Sequence, residues 1–542
     1  MNFRWTGSRA LVALGLVVTG SAAGLLLPSP PASAATASSD RPNIVFVLAD
    51  DLDVAELSAM PEVQALLAEH GATFDQYSVS DSLCCPSRAT ILRGQYAHNT
   101  GVLNNGGERG GFKRAYTLGI ESNTIATRLQ DTGYRTGLFG KYLNGYPHPA
   151  GRRYVPPGWT AWGSPVAGDP YSEYGYTLNH NGRMESYGNA PEDYGTDVYM
   201  RLARRFVERS VARGQPFFAY VSVFAPHEPA TPAPADVGRF AGATAPRTPS
   251  FDQADVTGMP VLIQNLPRFT PEETAAIDRL YQRRIESLQA VDRGVADLVG
   301  TLRALGQLKS TYVVFASDNG FHLGQHRLPA GKETPYDTDI HVPLVVRGPG
   351  IPSGTTVSAM ASNADLAPTF AAMAGASASR RWDGRSLLGV AEGTRKATKG
   401  TRTVELVEHW ALTHPNEVPQ SLPPGTVLEP DDPDQADPRL NPSSIAGGGK
   451  GKPPLLSDHT LYGRLVKIPD YFGVRTARFL YVEYVNGDRE LYDLAADPDE
   501  MHNLAGTQPE LEAELAAKTV ELRACRAAAC RNADSVDPVR GT

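Results

Sequence analysis

Ile44-Val45-Phe46-Val47-Leu48-Ala49-Asp50-Asp51 is the stretch that decides the fold. Its apolar run has no polar break and no alternation toward solvent, the pattern of a strand buried on both faces of a parallel sheet. A helix is expected next, from Pro61, a good first helical residue, to Gly71 as its stop. The alternation then repeats outward. Thr124 to Asp131 reads as a helix ended by Gly133, with a strand following through Leu138. Phe217 to Phe224 is strongly β-prone, and an amphipathic helix runs from Pro271 to Leu305 with Gly306 just beyond. Tyr312 to Ala316 and Leu344 to Val346 are further buried strands. Strands alternating with helices predict an α/β sandwich, a large mixed, mostly parallel sheet flanked by helices.

In such sheets, ligands gather beyond the carboxyl ends of the strands. Asp50-Asp51 follow Leu48, His227-Glu228 follow Phe224, and Asp318-Asn319 follow Ala316. Three strand exits thus carry residues able to hold a metal or move a proton. Two of the pairs also have a plainer use, Asp50-Asp51 as a loop or helix N-cap and Asp318-Asn319, with Gly320, as a turn.

Toward the C-terminus, 415–454 is rich in Pro, Asp, Gly and Ser and reads as a long surface loop. Asn486-Gly487-Asp488 between Phe479–Val485 and Glu490–Leu494 is a hairpin signal. A helix from Pro509 to Arg523 follows. The expected organisation is a leader at 1–34, a catalytic domain at 35–400, and a small antiparallel subdomain at 401–542.

The chain has 542 residues, 41% hydrophobic and 20% charged, with a formal net charge of −8. No basic cluster exists, which argues against nucleic acid as a partner. Arg4 and Arg9, the apolar stretch from Ala10 to Leu27, and Ala32-Ser33-Ala34 form an export signal with its cleavage site. The apolar run is close to the ~18 residues that span a bilayer. Gly15, Gly20, Gly24 and the following prolines favour cleavage, hence secretion without stable membrane insertion. Cys525 and Cys530 are close enough for a local disulfide after export. Cys84 and Cys85 are adjacent and rarely bridge each other.

Cys84-Cys85-Pro86-Ser87-Arg88 places Pro86 in the first turn of a helix that ends near Gly94, with Cys84 just before its N-terminus, where negative charge is favoured. This C-x-P-S-R pattern resembles the signature of the formylglycine-dependent sulfatases. The likeness extends along the chain. Ile44–Asp51 is similar to that family's first strand and metal pair, and Ser317-Asp318-Asn319-Gly320 to its second. Gly140-Lys141, Ala225-Pro226-His227 and Gly331-Lys332 match its charged positions. Tyr492-Asp493-Leu494, Asp497-Pro498 and Asn503-Leu504-Ala505 resemble its C-terminal subdomain.

The resemblance implies an alkaline-phosphatase-like fold and a Cys84 oxidised to formylglycine (3-oxoalanine) by a formylglycine-generating enzyme. It also implies one Ca²⁺ held by Asp50, Asp51, residue 84, Asp318 and Asn319, oxygen donors that suit a hard cation. Lys141 and Lys332 would bind sulfate, Arg88 would neutralise the diol or the sulfate, and Lys332 or His227 would protonate the leaving oxygen. In the hydrated aldehyde, one hydroxyl attacks sulfur and the other later expels sulfate, which a serine could not do.

Leu143 stands where many arylsulfatases have a histidine. With Cys84-Cys85 and Asp318–Gln325, this is closer to the N-acetylglucosamine-6-sulfatase branch, so a sulfated carbohydrate is the expected substrate. The alternatives are a phosphonate or phosphate monoester hydrolase on the same scaffold and a secreted inactive binding relative. His322, His326 and His341 read as surface residues, and His98 as packing behind the nucleophile helix.

Overall fold

The computed structural model describes residues 41–394, 401–411 and 466–539. The export signal read at 1–34 and the loop read at 415–454 lie outside them.

Chain order in the large sheet begins with β1 (Asn43–Asp50) and β2 (Ala72–Phe74). A two-residue strand, β3 (Tyr77–Ser78), pairs outside it. Then come β4 (Arg135–Gly140), β5 (Ala161–Asp169), β6 (Tyr174–His180), β7 (Arg183–Ser186), β8 (Phe217–Pro226), β9 (Thr311–Ser317), β10 (Leu344–Arg347) and β11 (Thr355–Val357). The spatial order is β11-β2-β10-β9-β1-β8-β4-β5-β6-β7. β9, β1, β8, β4 and β5 run parallel through the centre. β10 and β6 turn antiparallel on either side. This is the mixed, mostly parallel sheet that the sequence predicts.

All eight residues of β1 are buried, as the unbroken apolar run requires. Burying each large apolar side chain contributes about 1.5–3 kcal/mol. Ile44, Phe46 and Leu48 feed one apolar layer, and Val45, Val47 and Ala49 the other. This period of two gives the sheet a helical layer on each face. The long helix Pro271–Ala304 starts with a capping box, the Thr270 hydroxyl accepting from the Glu273 N–H, and packs against β8.

Gly71 is not a left-handed helix stop. The preceding helix is one turn, Pro61–Val63, that widens over Gln64–Ala68. A Cβ on Gly71 would lie 2.3 Å from the Val346 carbonyl oxygen, so close backbone approach to β10 demands the glycine.

Four more strands, β12 (Ala361–Ser362), β13 (Val404–His409), β14 (Tyr471–Thr476) and β15 (Phe479–Tyr484), precede β16 (Arg489–Asp493). β13 to β16 form an antiparallel sheet in sequence order, with the helix Pro509–Ala524 packed on it. β15 and β16 are the hairpin around Asn486-Gly487-Asp488. Cys525 and Cys530 form a disulfide just after that helix. The small sheet reaches the loop before Cys84 directly, through the Glu408 N–H on the Ser80 carbonyl at 2.8 Å. Among the described residues, no helix is long and apolar enough to cross a membrane.

Candidate active site

The helix Cys84–Arg93 is buried from Cys84 to Leu92 and closes on Gly94, whose φ of 62° is left-handed. Leu83 is its extended cap, and the Cys85 N–H donates to Asn105 Oδ1 at 2.8 Å, satisfying one first-turn donor. Cys84 is therefore the first helical residue. The helix aims it at the carboxyl ends of β1, β8 and β9.

There the separately predicted residues meet. Cys84 Sγ lies 3.5 Å from Asp50 Oδ1, 3.9 Å from Asp51 Oδ1 and 2.8 Å from Lys332 Nζ. Lys332 also donates to Asp51 Oδ1 at 2.7 Å, and Lys141 donates to Asp50 Oδ2 at 2.6 Å. Arg88, one turn along the helix, donates through Nε to Asp318 Oδ2 at 2.7 Å. One of its terminal nitrogens donates to Ser222 Oγ at 2.6 Å, and the other lies 3.4 Å from Asp50 Oδ1. His227 donates Nδ1–H to the Glu228 carbonyl at 2.7 Å, which directs Nε2 toward Asp51 Oδ2 at 3.7 Å. The Asn319 amide donates to Asp51 Oδ1 at 2.7 Å.

Three cations thus face three carboxylates and one cysteine in a buried site. Burial alone would raise the Asp50 carboxyl, but Lys141 and Arg88 hold it far below the usual carboxylate range. Burial opposes Asp51 in the same way, and Lys332 and His227 outweigh it. At Asp318 burial wins over Arg88, and the carboxyl is pushed up to about 6. Burial also drives the Cys84 thiol well above its ordinary value, despite both lysines. An unmodified Cys84 is thus a poor thiolate nucleophile, since the thiolate is the reactive form.

The oxygen donors at the site, those of Asp50, Asp51, Asp318 and Asn319, fit a hard cation. Ligand atoms of Asp50, Asp51, Cys84 and His227 lie within 4.8 Å of one another. Asn319 Oδ1 is buried with no hydrogen-bond partner, and such a carbonyl oxygen is costly unless something positive satisfies it. Carboxylate and amide oxygens suit Ca²⁺ better than a thiophilic metal.

Leu143 is buried in the main core, so the place of the missing histidine is filled by packing. The surface expectation for His322 and His326 is wrong. His322 is buried with Nδ1 3.0 Å from the Asp339 carboxylate, and His326 is buried against Gln253. His341 is half-buried. All three sit in the well-packed chain that returns from β9 to β10, where burial pushes His326 down to about 3. His98 stands apart from the site, between Glu408 and the Cys525 carbonyl.

Sequence reasoning missed Ser222, the one hydroxyl in Val221-Ser222-Val223-Phe224, whose isolation in a buried apolar strand was the available signal. It also missed Tyr171, whose ring is 4.9 Å from Lys141 Nζ and 4.6 Å from the His227 ring. The β5–β6 turn that carries it shows no clear periodicity.

Comparison with known proteins agrees with this geometry. Residues 42–376 match the family described as Sulfatase. The chain is 33% identical over 516 residues to N-acetylglucosamine-6-sulfatase of Homo sapiens, covering 93% of this chain and 88% of that protein. It is 38% identical over 351 residues to the putative extracellular sulfatase Sulf-1 homolog of Caenorhabditis elegans, covering 64% of this chain and 48% of that relative, so it spans about half of the latter's length. A protein solved in complex with its substrate D-glucosamine-2-N,6-O-disulfate shares the fold at a TM-score of 0.69 and 22% identity, over 91% of this chain and 99% of that one. The phosphonate monoester hydrolase of Agrobacterium radiobacter does so at 0.62 and 21%, over 89% and 96%. With the family match covering more than half of its length, and the family's motif residues gathered around Cys84, this chain belongs to the sulfatase family.

Proposed function

We propose that the chain hydrolyses the sulfate ester of a sulfated amino sugar, a 6-O-sulfated glucosamine, after Cys84 has become formylglycine. The observation that carries this reading is the convergence of Lys141, Lys332 and Arg88 on the carboxylates that surround Cys84, a cationic cradle for an anion inside a net-acidic protein. The likeness over nearly the whole chain to a protein named N-acetylglucosamine-6-sulfatase supports the sugar class.

The hydrated aldehyde at position 84 would supply the nucleophile. Asp50, Asp51, Asp318 and Asn319 would hold Ca²⁺, which would supply charge for the sulfate oxygens. The remaining work falls to side chains of this chain. Lys141 and Lys332 orient and neutralise the sulfate, and Arg88 fixes Asp318 while pairing with Asp50. Lys332, whose ammonium Asp51 stabilises against burial well above the ordinary lysine value, remains a cation. His227, with Nδ1–H committed to a carbonyl and Nε2 turned into the site beside Asp51, would as the imidazolium give its Nε2 proton to the leaving oxygen. Residues 1–34 would direct export and be removed, residues 35–400 would form the catalytic domain, and a formylglycine-generating enzyme would act during maturation.

The test is parallel turnover of glucosamine 6-O-sulfate, an aryl sulfate, a phosphate monoester and a phosphonate monoester by protein of known formylglycine content. Preference in kcat/KM for the sulfates, with the sugar ahead, supports the reading. Preference for the phosphonate moves the chain to the other activity of this scaffold, and turnover of none makes it a binding relative.

A further inference from the structure

One arginine that no part of the chemistry uses touches all three strand exits. Arg284 lies mid-way along Pro271–Ala304 and is fully buried. Its Nε and one terminal nitrogen clamp Glu56 at 2.7 and 2.6 Å. The nitrogen that holds Glu56 Oε2 also donates to the Asp51 carbonyl at 2.5 Å, beyond β1, and the other donates to the Pro226 carbonyl at 3.3 Å, beside His227 at the end of β8. The guanidinium carbon stacks 4.1 Å from the Phe321 ring, two residues beyond Asn319 on the segment that leaves β9.

Asp51 has φ of 68°, a left-handed backbone that a non-glycine residue adopts only where its surroundings impose it. Two bonds are available to impose it. Its N–H donates to Asp318 Oδ1 at 3.1 Å on the site side, and its carbonyl accepts from Arg284 behind. The carbonyl contact is the charge-assisted one, and Glu56 balances the charge that a buried guanidinium brings.

The geometry points to Arg284, oriented by Glu56, as the positioning residue that sets the backbone of Asp51 and thereby the affinity of the site for its cation. Its contact is with the backbone carbonyl of Asp51, not with the carboxylate. Rigid guanidinium geometry is what the role needs, since one planar group reaches a carboxylate and two carbonyls at once. A lysine keeps the charge beside Glu56 but has no fork to reach the two carbonyls. The inference rests on the Ca²⁺ reading proposed above.

Calcium titration of chelator-stripped protein by calorimetry tests it, with Arg284→Lys, Glu56→Gln and, as a control for buried-charge disruption, Arg402→Lys. Arg402 is equally buried among Asp365, Asp534 and Glu405 and does not contact the site. The expected result is a Kd for Ca²⁺ raised at least tenfold in Arg284→Lys and severalfold in Glu56→Gln, with Arg402→Lys unchanged at a comparable fall in melting temperature. An Arg284→Lys Kd within threefold of wild type, or an equal loss in Arg402→Lys, overturns the inference. Should Arg284→Lys fail to unfold cooperatively, Glu56→Gln decides by the same criterion. Wild-type protein that binds no Ca²⁺ defeats the metal reading itself, a result distinct from either of those.

Discussion

Replacing Arg88 with lysine should lower kcat/KM by about one to two orders of magnitude while leaving the fold in place. Arg88 is 1% exposed and makes two short charge-assisted contacts, to Asp318 at 2.7 Å and Ser222 at 2.6 Å. Hydrogen bonds of that kind are worth roughly 1.5–3 kcal/mol each. A lysine on the same helix turn can keep the one to Asp318 but not the second, nor the contact with the Lys141 carbonyl at 3.3 Å. The loss is therefore about 1.5–3 kcal/mol, and roughly 1.4 kcal/mol corresponds to each tenfold in rate. Alanine should cost more, about 3–5 kcal/mol, because Asp318 would be left buried without its cation. The assay is kcat/KM on an aryl sulfate, normalised to the aldehyde content of the Cys84 peptide, alongside thermal melts. Arg88→Lys activity within threefold of wild type, at equal aldehyde content, would show that Arg88 does not organise the site.

Ser222→Ala removes the buried acceptor of an Arg88 donor and should destabilise by about 1–3 kcal/mol; an unchanged melting temperature contradicts that role. Stripping divalent ions with a chelator should abolish turnover, and Ca²⁺ should restore it better than Zn²⁺, because the donors are oxygens; full activity after stripping contradicts the metal reading. His98 gives a pH signature away from the site. Burial disfavours its charged form, but Glu408 at 2.7 Å prevails and raises it to about 9 from 6.5. A raised value contributes stability that is complete below about pH 6.5 and is lost as pH rises through about 9. His98→Gln should therefore flatten the fall in melting temperature between pH 6.5 and 9.5, and a wild-type curve without that fall sinks the assignment.

The parts of this molecule legible in its sequence are those whose signal is local. β1 and β9 are unbroken apolar runs that end in polar pairs, so the strands and the polar residues at their exits could both be read. The β5–β7 ribbon could not, because Gly163, Pro165 and Gly168 break any alternation in its first strand. β13 and β14 flank a Pro-rich tract, and β13 finds its strand partner only across it. Among site residues, motif positions announced themselves, while Ser222, Glu56 and Arg284 did not. Arg284 and Glu56 are 228 positions apart, and Arg283-Arg284 on an amphipathic helix reads as solvated surface. His322 was misplaced for the same reason, since its partner Asp339 is brought to it by a tertiary turn.

The central claim is that Cys84 becomes the nucleophile of a sulfate ester hydrolase, and one mass measurement addresses it. The protein is produced in cells that hold a formylglycine-generating enzyme, together with a second sulfatase as a conversion control, and the peptide containing Cys84-Cys85-Pro86-Ser87-Arg88 is weighed with and without an aldehyde trap. The account predicts a peptide that has lost the thiol of Cys84 and carries a trappable carbonyl at position 84. An intact Cys84 thiol, in cells where the control is converted, contradicts it.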